Sequence, residues 1–247
     1  MSRELVRFPI KNSNSNSFIE GNLAIPDNPI GIVVFVHGSG SSKNSKRNQL
    51  VSEKLNKNKI ATLLFALLSD EEQAFDSQVE KMTSKIPGVV LNKFNLSLLT
   101  KRLSMVTDWV LSNPHTEKLQ LSFFASSTGG AAALMTACQY NIASIVIRSG
   151  RTDLVLNQFL DQIVSPCLFV VGSGEKSVVK ISKETIKKMR NSKEKKLNII
   201  EGASHLFEEE GSMLEVAEIA TQWLTRHFTL GVNTNSHETQ KTINSIT

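Results

Sequence analysis

The stretch L-Q-L-S-F-F-A-S-S-T-G-G-A-A-A-L, Leu119–Leu134, decides how this chain is read. An apolar run ends in small residues around a serine, and alanines of high helix propensity follow at once. The pattern predicts a strand, a sharp turn and a helix, with Ser127 at the turn. A serine hydroxyl attacks a carbonyl only when a base takes its proton and donors await the oxyanion. A tight strand-to-helix turn serves both needs, because it lifts the hydroxyl out of the sheet and turns the next amide, that of Thr128, toward the reacting centre. In the G-x-S-x-G form of such a turn the flanking positions are small. Here they are Ala125 and Gly129, so alanine stands in for the first glycine. A Gly/Ala-rich helix start packed on a sheet would read similarly, and the rest of the chain must decide.

Upstream, Ile32–Val36 is a continuous β-branched and aromatic run, as a strand buried on both faces requires. It ends in H-G-S-G-S-S, where two glycines let backbone approach closely at the end of a central strand. The amide of Ser39 is the expected second oxyanion donor beside Thr128, with His37 orienting the loop. No Gly-Lys-Ser/Thr ending and no G-x-G-x-x-G is present, so phosphate cradling is the weaker reading of these glycines. Leu5–Ile10 and Phe18–Ile25 read as an antiparallel pair, Asn48–Leu55 as a helix and Ile60–Leu68 as another buried strand. Ser69–Lys93 carries no clear pattern and reads as a long, irregular, lid-like connection. Leu98, Leu99, Leu103, Val106 and Val110 then recur at helical spacing over Leu96–Leu111.

Downstream, Ala143–Ile147 and Pro166–Gly172 read as strands. Arg148 and Arg151 follow the first and are candidates to receive an anionic substrate group, although surface ion pairing is the commoner use of arginine. Glu175 follows the second in G-S-G-E-K-S. A lysine-rich helix is expected over Lys183–Lys196, then a strand Leu197–Ile200, with His205 just beyond in E-G-A-S-H-L-F. Ser127, Glu175 and His205 thus each follow a predicted strand and reach one sheet edge. His205 is the candidate base and Glu175 the candidate acid, with Asp153 the reserve acid. Glu208–Glu210 suit the start of a last helix, Leu214–Phe228.

Composition excludes several other classes. At 247 residues, with 40% hydrophobic and 21% charged residues, the chain suits a soluble α/β protein, and no apolar run approaches the length of a bilayer span. Charges near the N-terminus occupy the place of a signal peptide's apolar region, so a cytoplasmic protein with no membrane partner is expected. The net charge of +5 comes from scattered lysines and arginines, which argues against nucleic acid as a partner. Cys138 and Cys167 read as small buried hydrophobes, and no metal-ligand constellation is evident. The polar segment 231–247 lacks periodicity and reads as a disordered tail after a single domain over 1–230.

H-G-S-G-S-S-K-N-S-K-R-N, A-T-L-L-F-A-L-L, F-F-A-S-S-T-G-G-A-A-A-L, V-V-G-S-G-E and G-A-S-H-L-F-E-E together resemble the α/β-hydrolase superfamily, in its dienelactone hydrolase-like branch. The resemblance runs from about Phe18 to Phe228. It implies an α/β-hydrolase fold of three layers, with a mostly parallel sheet of about eight strands flanked by helices. It also implies a cofactor-free hydrolytic site, for which an ester, thioester or lactone of small-molecule size is the expected substrate; the expected assembly is a monomer or a homodimer. In this branch the acid is usually aspartate, so Glu175 departs from the pattern. Dienelactone hydrolases proper use a cysteine nucleophile, so Ser127 argues against their substrate. A hydrolase fold that has drifted into a binding or regulatory protein is the alternative reading.

Overall fold

The computed structural model describes residues 1–10, 17–38, 45–81 and 90–243, with side chains described as far as Thr229. Eight strands form one sheet: β1 (Ser2–Pro9), β2 (Phe18–Ile25), β3 (Gly31–Val36), β4 (Ile60–Phe65), β5 (Leu121–Ser126), β6 (Ile145–Arg148), β7 (Cys167–Gly172) and β8 (Lys195–Ile200). Their spatial order is β1-β2-β4-β3-β5-β6-β7-β8. The β1–β2 and β2–β4 pairs are antiparallel and the other pairs parallel, the mostly parallel architecture expected.

Every residue of β3, β4, β5 and β7 is buried, which explains their mainly apolar sequences: helices cover both faces. Alternate side chains sort into two cores. Ile32, Val34 and Val36 of β3 face one with Phe123 and Ala125, whereas Val33 and Phe35 face the other with Phe124 and Val146. Helices α3 (Leu96–Ser112) and α4 (Thr128–Ala137) cover the first, and α1 (Lys46–Lys57) and α7 (Ser212–Ile243) the second. The remaining helices are α2 (Asp70–Lys81), α5 (Asn157–Leu160) and α6 (Lys176–Lys188). Each buried aromatic of these cores stabilises the fold by roughly 2–3 kcal/mol.

Two expectations are corrected. The connection Ser69–Lys93 is not wholly irregular, because it contains α2. That helix opens with a reciprocal cap: the Glu72 amide donates to Ser69 Oγ (3.2 Å), and the Ser69 amide donates to Glu72 Oε2 (2.8 Å). Its one buried side chain, Asp76, accepts from the amides of Asn92 and Lys93 at 2.9 and 2.8 Å and ties the helix to the 3-10 turn Asn92–Phe94. The lysine-rich helix begins earlier than expected, directly after Glu175, and ends at Lys188, so that Lys195 and Lys196 belong to β8. The last helix, α7, extends from Ser212 to Ile243, over part of the polar segment 231–247. Among the described residues no helix is long and apolar enough to cross a membrane.

Candidate active site

β5 ends at Ser126 and α4 begins at Thr128, so Ser127 forms the turn with no intervening loop. Its backbone takes φ 50° and ψ −130°. A Cβ in the positive-φ region costs on the order of 1–3 kcal/mol, so the surroundings must hold the residue there. The Ser127 carbonyl accepts from the amides of Gly130 (3.0 Å) and Arg151 (2.9 Å). A Cβ on Gly129 would stand 2.2 Å from the Val36 carbonyl oxygen, and one on Gly38 would stand 2.5 Å from the Ser127 Cβ. The glycines of the two loops are therefore required by one close approach, in which the turn after β3 lies against the serine. Thr128 is the first residue of α4 and so carries one of the amides that a helix leaves without an internal acceptor. Ser39, the other expected oxyanion donor, lies outside the described residues.

His37, which leads this turn, is buried, and desolvation lowers its pKa to about 4 against the opposing effect of backbone hydrogen bonds at Gly38 and Phe65. It is a neutral structural imidazole. Between pH 6.5 and 4 the unfolded chain takes a proton at this position that the folded chain refuses. The stability contributed by neutral His37 is therefore complete above pH 6.5 and is lost as pH falls toward 4, by roughly 3 kcal/mol over that interval. Urea unfolding at pH 7 and pH 4.5, compared between the parent and His37→Asn, measures this loss. An identical pH slope in both proteins excludes it.

The other two candidates arrive on interlocked loops. A Cβ on Gly172, the last residue of β7, would stand 2.2 Å from the Ala203 carbonyl oxygen, and that same carbonyl accepts from the Gly174 amide at 3.1 Å. Ser173 completes the clasp. Its amide donates to Ile200 O (2.9 Å), and its Oγ accepts from the Gly202 amide (2.9 Å). The loop after β7 thus fixes the loop after β8, and His205 Nδ1 stands 3.5 Å from Glu175 Oε2. No hydrogen bond has formed at that separation among the described residues, and catalytic hydrogen bonds of this kind commonly tighten only when substrate is bound. Glu175 also immediately precedes α6.

Asp153, the reserve acid, is engaged elsewhere. Arg151 Nε and Nη2 donate to its two carboxylate oxygens at 2.9 and 2.8 Å, a bidentate pair that holds the Asp153 carboxyl below its usual range. Geometry therefore brings Glu175 to His205, while Arg151 is committed to Asp153 and is not free to share an anion with Arg148. Arg148 differs sharply from it. The register pairs Arg148 with Ser126, the residue before Ser127, yet its side chain is only 5% exposed. Its guanidinium lies 5.8 Å from the Phe207 ring centre, and Nη1 donates to Met213 Sδ at 3.5 Å. Burial lowers its pKa to about 10, and the charge of Arg47 adds to the shift. The sequence offered no sign of Arg47 or of the Gly172–Ala203 clasp, since both depend on contacts between distant segments.

The fold recurs in known proteins. The dienelactone hydrolase of Anabaena variabilis ATCC 29413 is 36% identical to the chain and superposes with a TM-score of 0.76, covering 90% of this chain and 98% of that one. Est1E from Butyrivibrio proteoclasticus shares the fold at a TM-score of 0.71 with 14% identity, over 91% of this chain and 99% of its own. Two Mycobacterium tuberculosis proteins, from strains CDC 1551 and H37Rv, each named "Putative phosphoribosyl transferase", are 37% identical over 211 residues, 85% of this chain. The chain spans 44% of the length of those curated relatives. No family model matches. On the likeness to the Anabaena enzyme over nearly the whole of both chains, the protein belongs to the dienelactone hydrolase branch of the α/β hydrolases.

Proposed function

We propose that the chain is a serine hydrolase of carboxylic esters, thioesters or lactones that works through Ser127, His205 and Glu175. The observation that carries this reading is the 3.5 Å approach of His205 to Glu175 at the sheet edge where Ser127 is held at positive φ. In this reading His205 takes the Ser127 proton as Oγ adds to the substrate carbonyl, and the amide of Thr128 donates to the oxyanion that forms. Collapse of that adduct expels the alcohol or thiol, which leaves with the proton from His205, and an acyl group remains on Ser127. Water, deprotonated by His205, then adds to the acyl carbon, and the acid departs as Oγ recovers its proton. Glu175 holds the imidazole tautomer and stabilises the imidazolium in both halves.

A fluorophosphonate probe tests the reading without a known substrate, because it reacts only with an activated serine. The expected result is labelling of the parent that disappears in both Ser127→Ala and His205→Ala. A folded parent that takes up no probe overturns the proposal and leaves a binding protein on a hydrolase fold.

A further inference from the structure

α3 carries two stripes. Leu99, Leu103, Val106 and Val110 are buried in the first core, as an amphipathic helix requires. Leu98, Arg102, Met105 and Trp109, spaced by four, three and four residues, form a second stripe on a neighbouring face, and its apolar members are only partly buried. A cavity of about 870 Å³ lies against this second stripe, between α3, the C-terminal end of β1 and the first turn of α2. Small-molecule sites commonly span roughly 300–1,000 Å³. Ser127, Glu175 and His205 do not line it. Pro9 and Ile10 do, at the end of β1, which stands four places from β5 in the sheet, roughly 20 Å at ordinary strand spacing. The cavity is therefore separate from the candidate active site.

Its wall is apolar, and the polar groups around it hold donors in surplus. Trp109 packs edge-on against the buried ring of Phe8, with centres 5.2 Å apart, so the indole is a fixed part of the wall. The carboxylates are already engaged. Glu72 Oε2 accepts from the Ser69 amide and Oε1 from Arg102 Nη2, both at 2.8 Å, and Glu71 Oε2 accepts from Ser17 Oγ at 2.9 Å. The cations are not. A guanidinium has five N–H groups to place, and Arg102 Nη1 is buried with no acceptor. Lys101 is exposed at the rim and has no carboxylate partner among the described residues.

We infer that this cavity is a second ligand site, which takes a small organic monocarboxylate with an apolar body. The carboxylate meets the Lys101 ammonium at the rim, and the body lies on Ile10, Leu98, Met105 and Trp109. Burial of the body supplies affinity, and the charge supplies the choice of ligand. Arg102 favours the anion through its field, because a charge held out of water is weakly screened. A phosphate monoester would bring a second negative charge toward Glu71 and Glu72, so the single charge of a carboxylate is the better match. The inference does not rest on the hydrolase reading, since no residue of the candidate triad takes part.

Calorimetric titration of the full chain with phenylbutyrate tests it, beside phenylbutyramide, which has the same body without charge, and phenylbutylamine, which has the opposite charge. The expected result is saturable one-to-one binding of the acid, at least fivefold tighter than that of the amide or the amine. Lys101→Gln removes the rim charge and Met105→Trp fills the cavity, and each is expected to weaken binding of the acid at least fivefold. Three results overturn the inference: no saturable binding of the acid, an amide or amine that binds within fivefold of it, or a smaller loss in either variant. Thermal unfolding checks the fold of both variants. Lys101 is exposed, so Lys101→Gln decides the matter alone if Met105→Trp does not fold.

Discussion

Replacing Ser127 with alanine is expected to lower kcat on an activated ester by at least about a thousandfold, and replacing it with glycine to do the same while raising stability by about 1 kcal/mol. The two halves of this expectation have different causes. Activity falls in both variants because the attacking oxygen is gone, and what survives comes from the remaining donors and from substrate binding. Stability rises only in the glycine variant. At φ 50° and ψ −130° a Cβ is strained, and its removal recovers on the order of 1–3 kcal/mol, partly offset by the roughly 0.5–1 kcal/mol of chain entropy that glycine loses on folding. A serine kept at a strained turn against the interest of stability is what a site selected for reaction looks like. Turnover of p-nitrophenyl butyrate and urea unfolding of the parent and both variants supply the test. Retained turnover in Ser127→Ala excludes Ser127 as the nucleophile. A glycine variant less stable than the alanine variant excludes the strain.

Much of the fold is legible in the residues, for reasons the packing makes plain. β3, β4, β5 and β7 are buried on both faces, so each is written as a mainly apolar run without strict alternation. Ser127, Glu175 and His205 stand out because each lies within five residues of the end of a strand, and the sheet is parallel where they emerge. What escaped reading lacked an apolar signature. α2 buries a single residue, Asp76, so no apolar stripe marks it, and its local signs are the Ser69–Glu72 cap and the acidic first turn Asp70–Glu72. α6 buries Val178, Ser182 and Thr185 on its inner face, and two of those three are polar, which hid the helical period and moved the expected helix toward the lysines. Thr185 is welcome there because its hydroxyl meets that of Thr152 at 2.7 Å. Polar partners of this kind are chosen by three-dimensional contact, and the sequence cannot show who they are. The same holds for Arg151, whose pairing with Asp153 removes one candidate cation and one candidate acid together.

That pairing sets up the second large effect. Glu175→Gln is expected to lower kcat by about three to four orders of magnitude with KM little changed, while Asp153→Asn leaves kcat within about threefold of the parent. Glutamine keeps the size of the Glu175 side chain but presents an amide to His205 Nδ1, which removes the charge that would stabilise the imidazolium and permits the wrong tautomer. The Gly172–Ala203 clasp does not involve the carboxylate, so both loops keep their positions and the loss is chemical. In Asp153→Asn the damage is confined to the partly exposed pair with Arg151, worth at most about 1 kcal/mol. Glu175→Asp distinguishes charge from reach. Glu175 stands immediately before α6, where Gly174 is pinned to Ala203, so the loop cannot advance to make up for a lost methylene, and aspartate is expected to restore only part of the rate. Steady-state kinetics on all three variants, with thermal unfolding to confirm the fold, decide the assignment. A collapse of kcat in Asp153→Asn with Glu175→Gln near parental would transfer the acid's role to Asp153 and require Arg151 to release it in the working enzyme.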